Sequence, residues 1–252
     1  ISTVASGNVQ PYVGPNDICM IYSITDIQGL NRISRKVLGN GAHAIAGMVK
    51  SCIPKVKNKP AIGLSMFGVT TPCIQAVVKE LESDFDCIVF HATGTGGQSM
   101  EKLVESGFVK GLIDATTTEI CDLLMGGVFS AGKDRLNSIV RTKLPYVGSC
   151  GALDMVNFGA KESVPQKYKE RKLHAHNSNV TLMRTTIEEN KYIGQWIADK
   201  LNQMKGEVRF LLPLKGLSSL DSEGQVFYNP KADAALFDTI ENNVMQTGKR
   251  KI

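Results

Sequence analysis

The chain has 252 residues, of which 42% are hydrophobic and 21% charged, with a net charge of +5. That length suits one large domain or two small ones and can bury a core without disulfide staples. No run of about eighteen apolar residues occurs, which argues against a membrane-spanning helix. The opening Ile1-Ser2-Thr3-Val4-Ala5 lacks the charged start and long apolar stretch of a secretory signal. It also lacks an initial Met, so the chain is expected to begin partway through a longer protein. Six cysteines are scattered with no C-x-x-C pair, and a reduced, cytoplasmic setting is expected. The basic excess lies at Lys50–Lys59, Lys167–Lys172 and Lys249–Lys251. No interleaved aromatics accompany it, so nucleic acid is not an expected partner.

In chain order, residues 18–24 form an apolar run that reads as a strand, and a helix is expected over about 30–49. Three strand–helix units follow: strand 61–67 with helix 73–81, strand 87–91 with helix 99–104, and strand 109–113 with helix 119–125. Alternation at this pitch implies βαβ units and a parallel sheet with right-handed crossovers. A fourth strand is expected at 145–148. Residues 160–178 are polar and read as a surface excursion. A long amphipathic helix follows over 187–204, with Ile193, Trp196, Ile197, Leu201 and Met204 on one face. A last strand at 208–212 precedes a helix near 231–244. The expected fold class is a three-layer α/β/α, Rossmann-like architecture with a mostly parallel sheet.

The loops after the strands carry the functional argument. They read Gly68-Val69-Thr70-Thr71-Pro72, Ala92-Thr93-Gly94-Thr95-Gly96-Gly97, Thr116-Thr117-Thr118 and Gly148-Ser149-Cys150-Gly151. Four successive strands thus deliver small or hydroxyl-bearing residues to one carboxyl edge, where open parallel sheets bind ligands. The first three loops feed helix starts, whose free N–H groups and dipole favour an anion. Thr70, Thr71, Thr93, Gly94, Thr95, Gly96, Gly97, Thr116, Thr117 and Thr118 are therefore expected to bind phosphates. Asp114, about twenty residues past Gly94, stands where a ribose-binding carboxylate would. A plainer reading makes Thr71-Pro72 a helix cap with Pro at N1, and Thr116 with Glu119 a capping box. A strand-end cap would equally explain Asp114.

Other motifs carry less. The Gly-rich loop has Ser99 where a dinucleotide fingerprint needs Gly. Gly127–Lys133 nearly spells a P-loop, but Asp134 replaces the magnesium-binding hydroxyl and no clear strand precedes it. His174-Ala175-His176 has no acidic or Cys partner at ligand spacing, so no metal is expected there. Asp26, Asp154 and Asp221 are dispersed, and no catalytic residue can be assigned.

At Gly68–Pro72, His91–Gly94, Gly151–Gly159 and Thr181–Thr186 followed by Glu189, the sequence resembles the family of plant tobamovirus-resistance proteins. The ATP-binding-type module of that family also occurs in bacteria and fungi. The likeness runs from Ser2–Gly7 to Gly216–Asp221 and Phe227. It implies a two-lobed α/β/α module of which residues 1–252 form a single lobe, the second. A first lobe would precede Ile1, and a final strand and helix would follow Ile252. It also raises ATP, with or without Mg2+, as the ligand. In the plant founder it implies inhibition of viral RNA replication through binding of the viral helicase.

The leading expectation is a nucleotide-binding domain, with ATP the first candidate, whose bound state governs association with a protein partner or the second lobe. Self-association into homo-oligomers is also expected. One alternative is an enzyme acting on a small phosphorylated or carboxylated metabolite through Arg184, Lys215 or His176. Another is an interaction module whose Gly/Thr loops are only turns.

Overall fold

A computed structural model describes residues 1–252, which divide into two compact units, Ile1–Asn58 and Lys59–Ile252. In the first unit a short helix α1 (Gln10–Val13) precedes the long helix α2 (Arg32–Lys50). Asn31 starts α2: its Oδ1 accepts from the N–H groups of Ile33 and Ser34, while Ser34 Oγ accepts from Asn31 N, a reciprocal cap. The strand expected at 18–24 does not form. Its one pairing is an isolated bridge from Tyr22 to Ser2, and Ile24 sits at φ 66°, outside the extended region. An apolar run becomes a strand only where a partner is available.

The second unit holds the sheet. Its strands are β1 (Ala61–Met66), β2 (Asp86–His91), β3 (Gly111–Thr116), β4 (Tyr146–Gly151), β8 (Val208–Leu211) and β9 (Arg250–Lys251), in the order β2-β1-β3-β4-β8-β9, all parallel. The helices α3 (Thr71–Leu81), α4 (Thr95–Glu105), α5 (Thr118–Met125), α6 (Asn137–Thr142), α7 (Ile187–Gln203) and α8 (Pro230–Asn243) flank it. This is the three-layer α/β/α arrangement expected, with the doubly wound order 2-1-3-4-5 through the first five parallel strands. The winding direction reverses between β1 and β3, and at that point the carboxyl ends of the strands open a crevice.

Burial explains the long helices. Ile193, Ile197 and Leu201 are fully buried along one face of α7, and Met204 joins them just past its end. Gly194 lets α7 lie close on α8, since a Cβ there would stand 3.0 Å from Thr239 Cβ. Thr186 and Glu189 cap α7 reciprocally.

Two features depart from the expected elements. Helix α6 has no counterpart among the expected elements. The stretch 160–178 is not all surface loop, because it contributes β6 (Leu173–Asn177) to a small antiparallel sheet, β5-β7-β6, with β5 (Met155–Phe158) and β7 (Val180–Arg184). All four residues of β5 are buried, so it lacks the alternation that marks a half-exposed strand.

Candidate functional site

The Gly-rich loop comes to rest on the protein itself. Helix α4 starts at Thr95, earlier than expected, and its amino end meets the buried carboxylate of Glu119. Glu119 Oε1 accepts from Gly94 N at 2.7 Å and Gly97 N at 3.1 Å, and Oε2 accepts from Arg135 Nε at 2.9 Å. The anion that a helix start attracts is supplied from within the chain. Each glycine has a packing reason. A Cβ on Gly97 would lie 2.1 Å from Glu119 Oε2, and one on Gly96 would lie 1.7 Å from His91 O. Gly94 has φ +85°, and its Cβ position is 2.8 Å from Ser130 O. The capping box expected between Thr116 and Glu119 does not form: the cap position of α5 is Thr117, and Glu119 is committed to the loop and Arg135.

Arg135 is the hub of a buried cluster. Its Nη2 donates to Asp114 Oδ1 at 2.6 Å and its Nη1 to Glu101 Oε1 at 3.3 Å, beside the Glu119 bond. Asp114 is fully buried, and its second oxygen accepts from Tyr146 OH at 3.2 Å. It therefore stands inside the core, away from any cleft wall. Burial raises the Glu119 carboxyl above its usual 4.5, and Arg135 opposes the rise.

The threonines divide. Thr70 Oγ1 and Thr116 Oγ1 lie 2.8 Å apart, joining the first and third loops. Thr117 Oγ1 donates to Ser149 O at 3.0 Å, and Thr118 Oγ1 accepts from Asn157 Nδ2 at 3.1 Å. Thr71 Oγ1 donates to Phe67 O. These hydroxyls hold loops together, and among them Thr70 lines a cleft.

That cleft, about 310 Å³, opens at the switch point between the carboxyl ends of β1 and β3. Its walls are Val69 and Thr70 from the first loop, Pro72, Cys73 and Ile74 from the start of α3, Ala115 from β3, Ser149 and Gly151 from β4, and Pro213 and Gly216–Ser219 from the loop after β8. No acidic or basic side chain is among its lining residues. The first turn of α3 borders it with no side-chain cap: Thr70 makes no capping bond, while Thr71 N donates to Gly68 O and Pro72 has no N–H, so neither residue offers the cleft a donor. The sequence marks loop 213–219 only through the family likeness at Gly216–Asp221 and through Lys215, because nothing local says that the loop after β8 folds back against the first loop.

A second cavity, about 230 Å³, lies on the other side of the first loop, and Val69 borders both. Phe67, His91, Thr93, Phe129 and His176 are among its lining residues. Thr93 is thus separated from Thr70 by the loop that carries Val69.

Beneath the switch-point cleft sits a charged group that sequence alone left dispersed. Ser218 Oγ donates to Asp154 Oδ2 at 2.8 Å. Arg184, buried, donates to Asp221 Oδ1 at 2.9 Å, to Asp233 Oδ1 at 2.6 Å and to Phe227 O at 2.7 Å. Asp154 and Asp221 therefore converge, whereas Asp26 belongs to the other unit. Burial, reinforced by Asp221, pushes the Asp154 carboxyl up to about 7, and its Oδ1 has no partner. His174 packs edge-on against Phe227, and no cluster of three or more His, Cys, Asp or Glu side chains could hold a metal. No helix is long and apolar enough to cross a membrane.

Comparison with known proteins adds the family. Residues 59–252 match the profile of the uncharacterised protein family UPF0261 C-terminal domain, and residues 1–54 match that family's N-terminal domain. A UPF0261 protein of Rhizobium meliloti (strain 1021) is 57% identical over 252 residues, all of this chain and 63% of the relative. A UPF0261 protein of Clostridium tetani is 51% identical over 246 residues, 97% of this chain and 61% of the relative. From Solanum lycopersicum, ToMV resistance protein Tm-1(GCR237) and ToMV susceptible protein tm-1(GCR26) are each 46% identical over 243 residues, 94% of this chain and 32% of each relative. The chain thus spans less than two thirds of the length of these relatives. The profile matches and the identities together establish that the chain belongs to the UPF0261 family, and its likeness to the tomato ToMV resistance and susceptible proteins bears out the resemblance to the tobamovirus-resistance type.

Proposed function

We propose that this chain binds a small phosphorylated ligand, with ATP the first candidate, in the switch-point cleft, and that the bound state governs its association with a protein partner. The observation that carries the reading is a cleft of about 310 Å³ at the reversal of a doubly wound sheet, where the first turn of α3, two glycines and a few hydroxyls meet an otherwise apolar wall that includes Val69, Ile74, Pro213 and Leu217. A phosphate there would draw on the α3 turn beyond Pro72 and on the Ser219 hydroxyl, since Ser149 Oγ donates to Leu211 O and Ser218 Oγ to Asp154 Oδ2. The lining has no carboxylate to repel an anion and no Lys or Arg to attract one, so binding would rest on N–H and hydroxyl donors. Any Mg2+ would ride on the phosphates, since the walls offer it no acidic ligand.

This reading moves the phosphate position from Thr93–Gly97 to Val69–Cys73, because Glu119 already fills the α4 start. The tomato relatives are named for resistance and susceptibility to ToMV, and with the resemblance to the tobamovirus-resistance family, which implies the viral helicase as partner there, this favours a viral protein as the class of partner. The resistant and the susceptible tomato proteins are equally similar to this chain, so a role against virus would depend on differences the shared sequence does not single out.

The test is a calorimetric titration with ATP, ADP, NAD and NADP, with and without magnesium, on the chain and on Cys73→Asp. A carboxylate at the third position of α3 suits the helix but repels an anion in the cleft. Saturable binding of ATP, weakened at least about tenfold by Cys73→Asp, is expected. Failure of every nucleotide to bind at millimolar concentration would sink the reading.

One observation favours a second reading, an enzyme on a phosphorylated metabolite. Ser218 lines the cleft 2.8 Å from Asp154, a carboxyl near neutrality that could take a proton. Arg184 would not contact substrate, being enclosed by its own partners. Consumption of bound ATP that Asp154→Asn abolishes without loss of affinity would favour this second reading.

A further inference from the structure

We infer that the cavity between Phe67, Phe129 and His176 is a subsite for a flat aromatic ring, the purine of the ligand whose phosphates lie in the switch-point cleft. The inference rests on the phosphorylated-ligand reading above and extends it to a part of the surface that the reading does not use.

Three observations converge. The cavity, about 230 Å³, is smaller than a pocket for a whole drug-sized ligand and of a size for one ring system. Its walls are aromatic: the Phe67 ring lies 5.5 Å from His91 and 6.2 Å, edge-on, from Phe129. Such rings offer faces and edges on which a base can stack, while His91, His176, Asn177 and Thr93 provide polar atoms for its rim. Finally, Val69 lines both this cavity and the cleft, so a ligand crossing the first loop could occupy the two together.

The same geometry gives the Gly-rich loop a role without a phosphate. Phe129 belongs to the segment 127–133 that imitates a P-loop. Its N–H donates to Asp122 Oδ2 at 2.8 Å, and its carbonyl lies 3.2 Å from the point where a Gly94 Cβ would be. Glycine at 94 lets this segment descend onto the loop and sets Phe129 as a wall of the cavity. Two stretches that each resemble half of a phosphate-binding motif thus pack on one another and shape an aromatic pocket. From the small sheet, β6 closes the far side with His176 and Asn177.

The experiment separates the two halves of the ligand. Adenosine, tripolyphosphate and ATP are each titrated calorimetrically into the full chain, into Gly68→Leu and into Cys73→Asp. Gly68 lines the aromatic cavity and not the cleft. A Cβ there meets nothing within 4 Å, so leucine intrudes on the cavity without straining the fold. Phe129→Ala, checked for native melting, serves as a second variant. Gly68→Leu should weaken adenosine and ATP at least about tenfold and leave tripolyphosphate unchanged, because stacking of one base is of that order. Cys73→Asp should do the reverse, weakening tripolyphosphate and ATP and sparing adenosine. Tripolyphosphate binding without any adenosine binding that depends on Gly68 and Phe129 would overturn the aromatic subsite and leave the cleft standing. Adenosine binding that Gly68→Leu abolishes, with no tripolyphosphate binding, would sink the phosphate cleft and uphold the ring cavity.

Discussion

Two helix starts at the same edge of the sheet have opposite fates. Helix α4 opens with Thr95-Gly96-Gly97, the more glycine-rich of the two, yet its amino end is filled by Glu119, which Arg135 holds in place. Helix α3 opens with Thr71-Pro72-Cys73, looks like an ordinary cap in sequence, and faces a cleft uncapped. Glycine content therefore reported close packing at α4, whereas the open cleft lies at α3, where the neighbouring loops leave space. A glycine-rich loop is a demand for room by some backbone, and only the tertiary contacts say whether a ligand or the protein uses that room.

The largest expected effect would break the closed start. Glu119→Ala removes one partner of buried Arg135 and the acceptor of Gly94 N and Gly97 N, and should cost about 3–5 kcal/mol in denaturant unfolding. A loss below 1 kcal/mol would mean that Glu119 does not hold the loop. Next, Gly96→Ala forces a methyl onto His91 O and should cost about 1–3 kcal/mol, while Gly68→Ala, with open space around it, should change stability by less than about 1 kcal/mol. Equal costs at the two positions would erase the contrast between the loops.

A pH experiment probes the charged group under the open cleft. The Asp154 carboxyl, raised from 3.8 to about 7, keeps its proton in the folded chain where the unfolded chain has released it. Its contribution therefore makes stability fall as pH rises from about 4 to about 7, and then level off. Asp154→Asn should remove one carboxyl's share of that slope, Asp122 and Asp233 being raised to about 7 as well, and be more stable than the parent at pH 8, read by chemical denaturation across pH. An unchanged slope would show that Asp154 titrates normally. The smallest effect is at the open start itself: Cys73→Asp should raise stability by about 0.3–1 kcal/mol through the helix dipole, even as it weakens the proposed binding of phosphate. A destabilised variant would indicate that the α3 turn is not free to receive a negative charge.

The strand–helix alternation from Ala61 onward was legible because each strand is short and apolar and each helix has a periodic face. The Thr186–Glu189 cap was visible for the same local reason. What failed were inferences needing a partner. Residues 18–24 have strand composition but pair only at Tyr22, and β5 and β6 needed β7 beside them to exist. Asp114 sits at the spacing of a ribose ligand, yet Arg135, twenty-one residues later, claims it.

By itself, the sequence determined the α/β class, the parallel sheet, the edge on which loops gather and the family. Those follow from periodicities of two and 3.6 residues, from caps and from the motifs shared along the chain. The tertiary structure alone decided which of the gathered loops is sealed and which is open. Whether a backbone N–H meets a carboxylate of the same chain or faces a cleft depends on side chains, such as Glu119 and Arg135, brought from elsewhere in the sequence by packing, and no local spacing encodes that encounter.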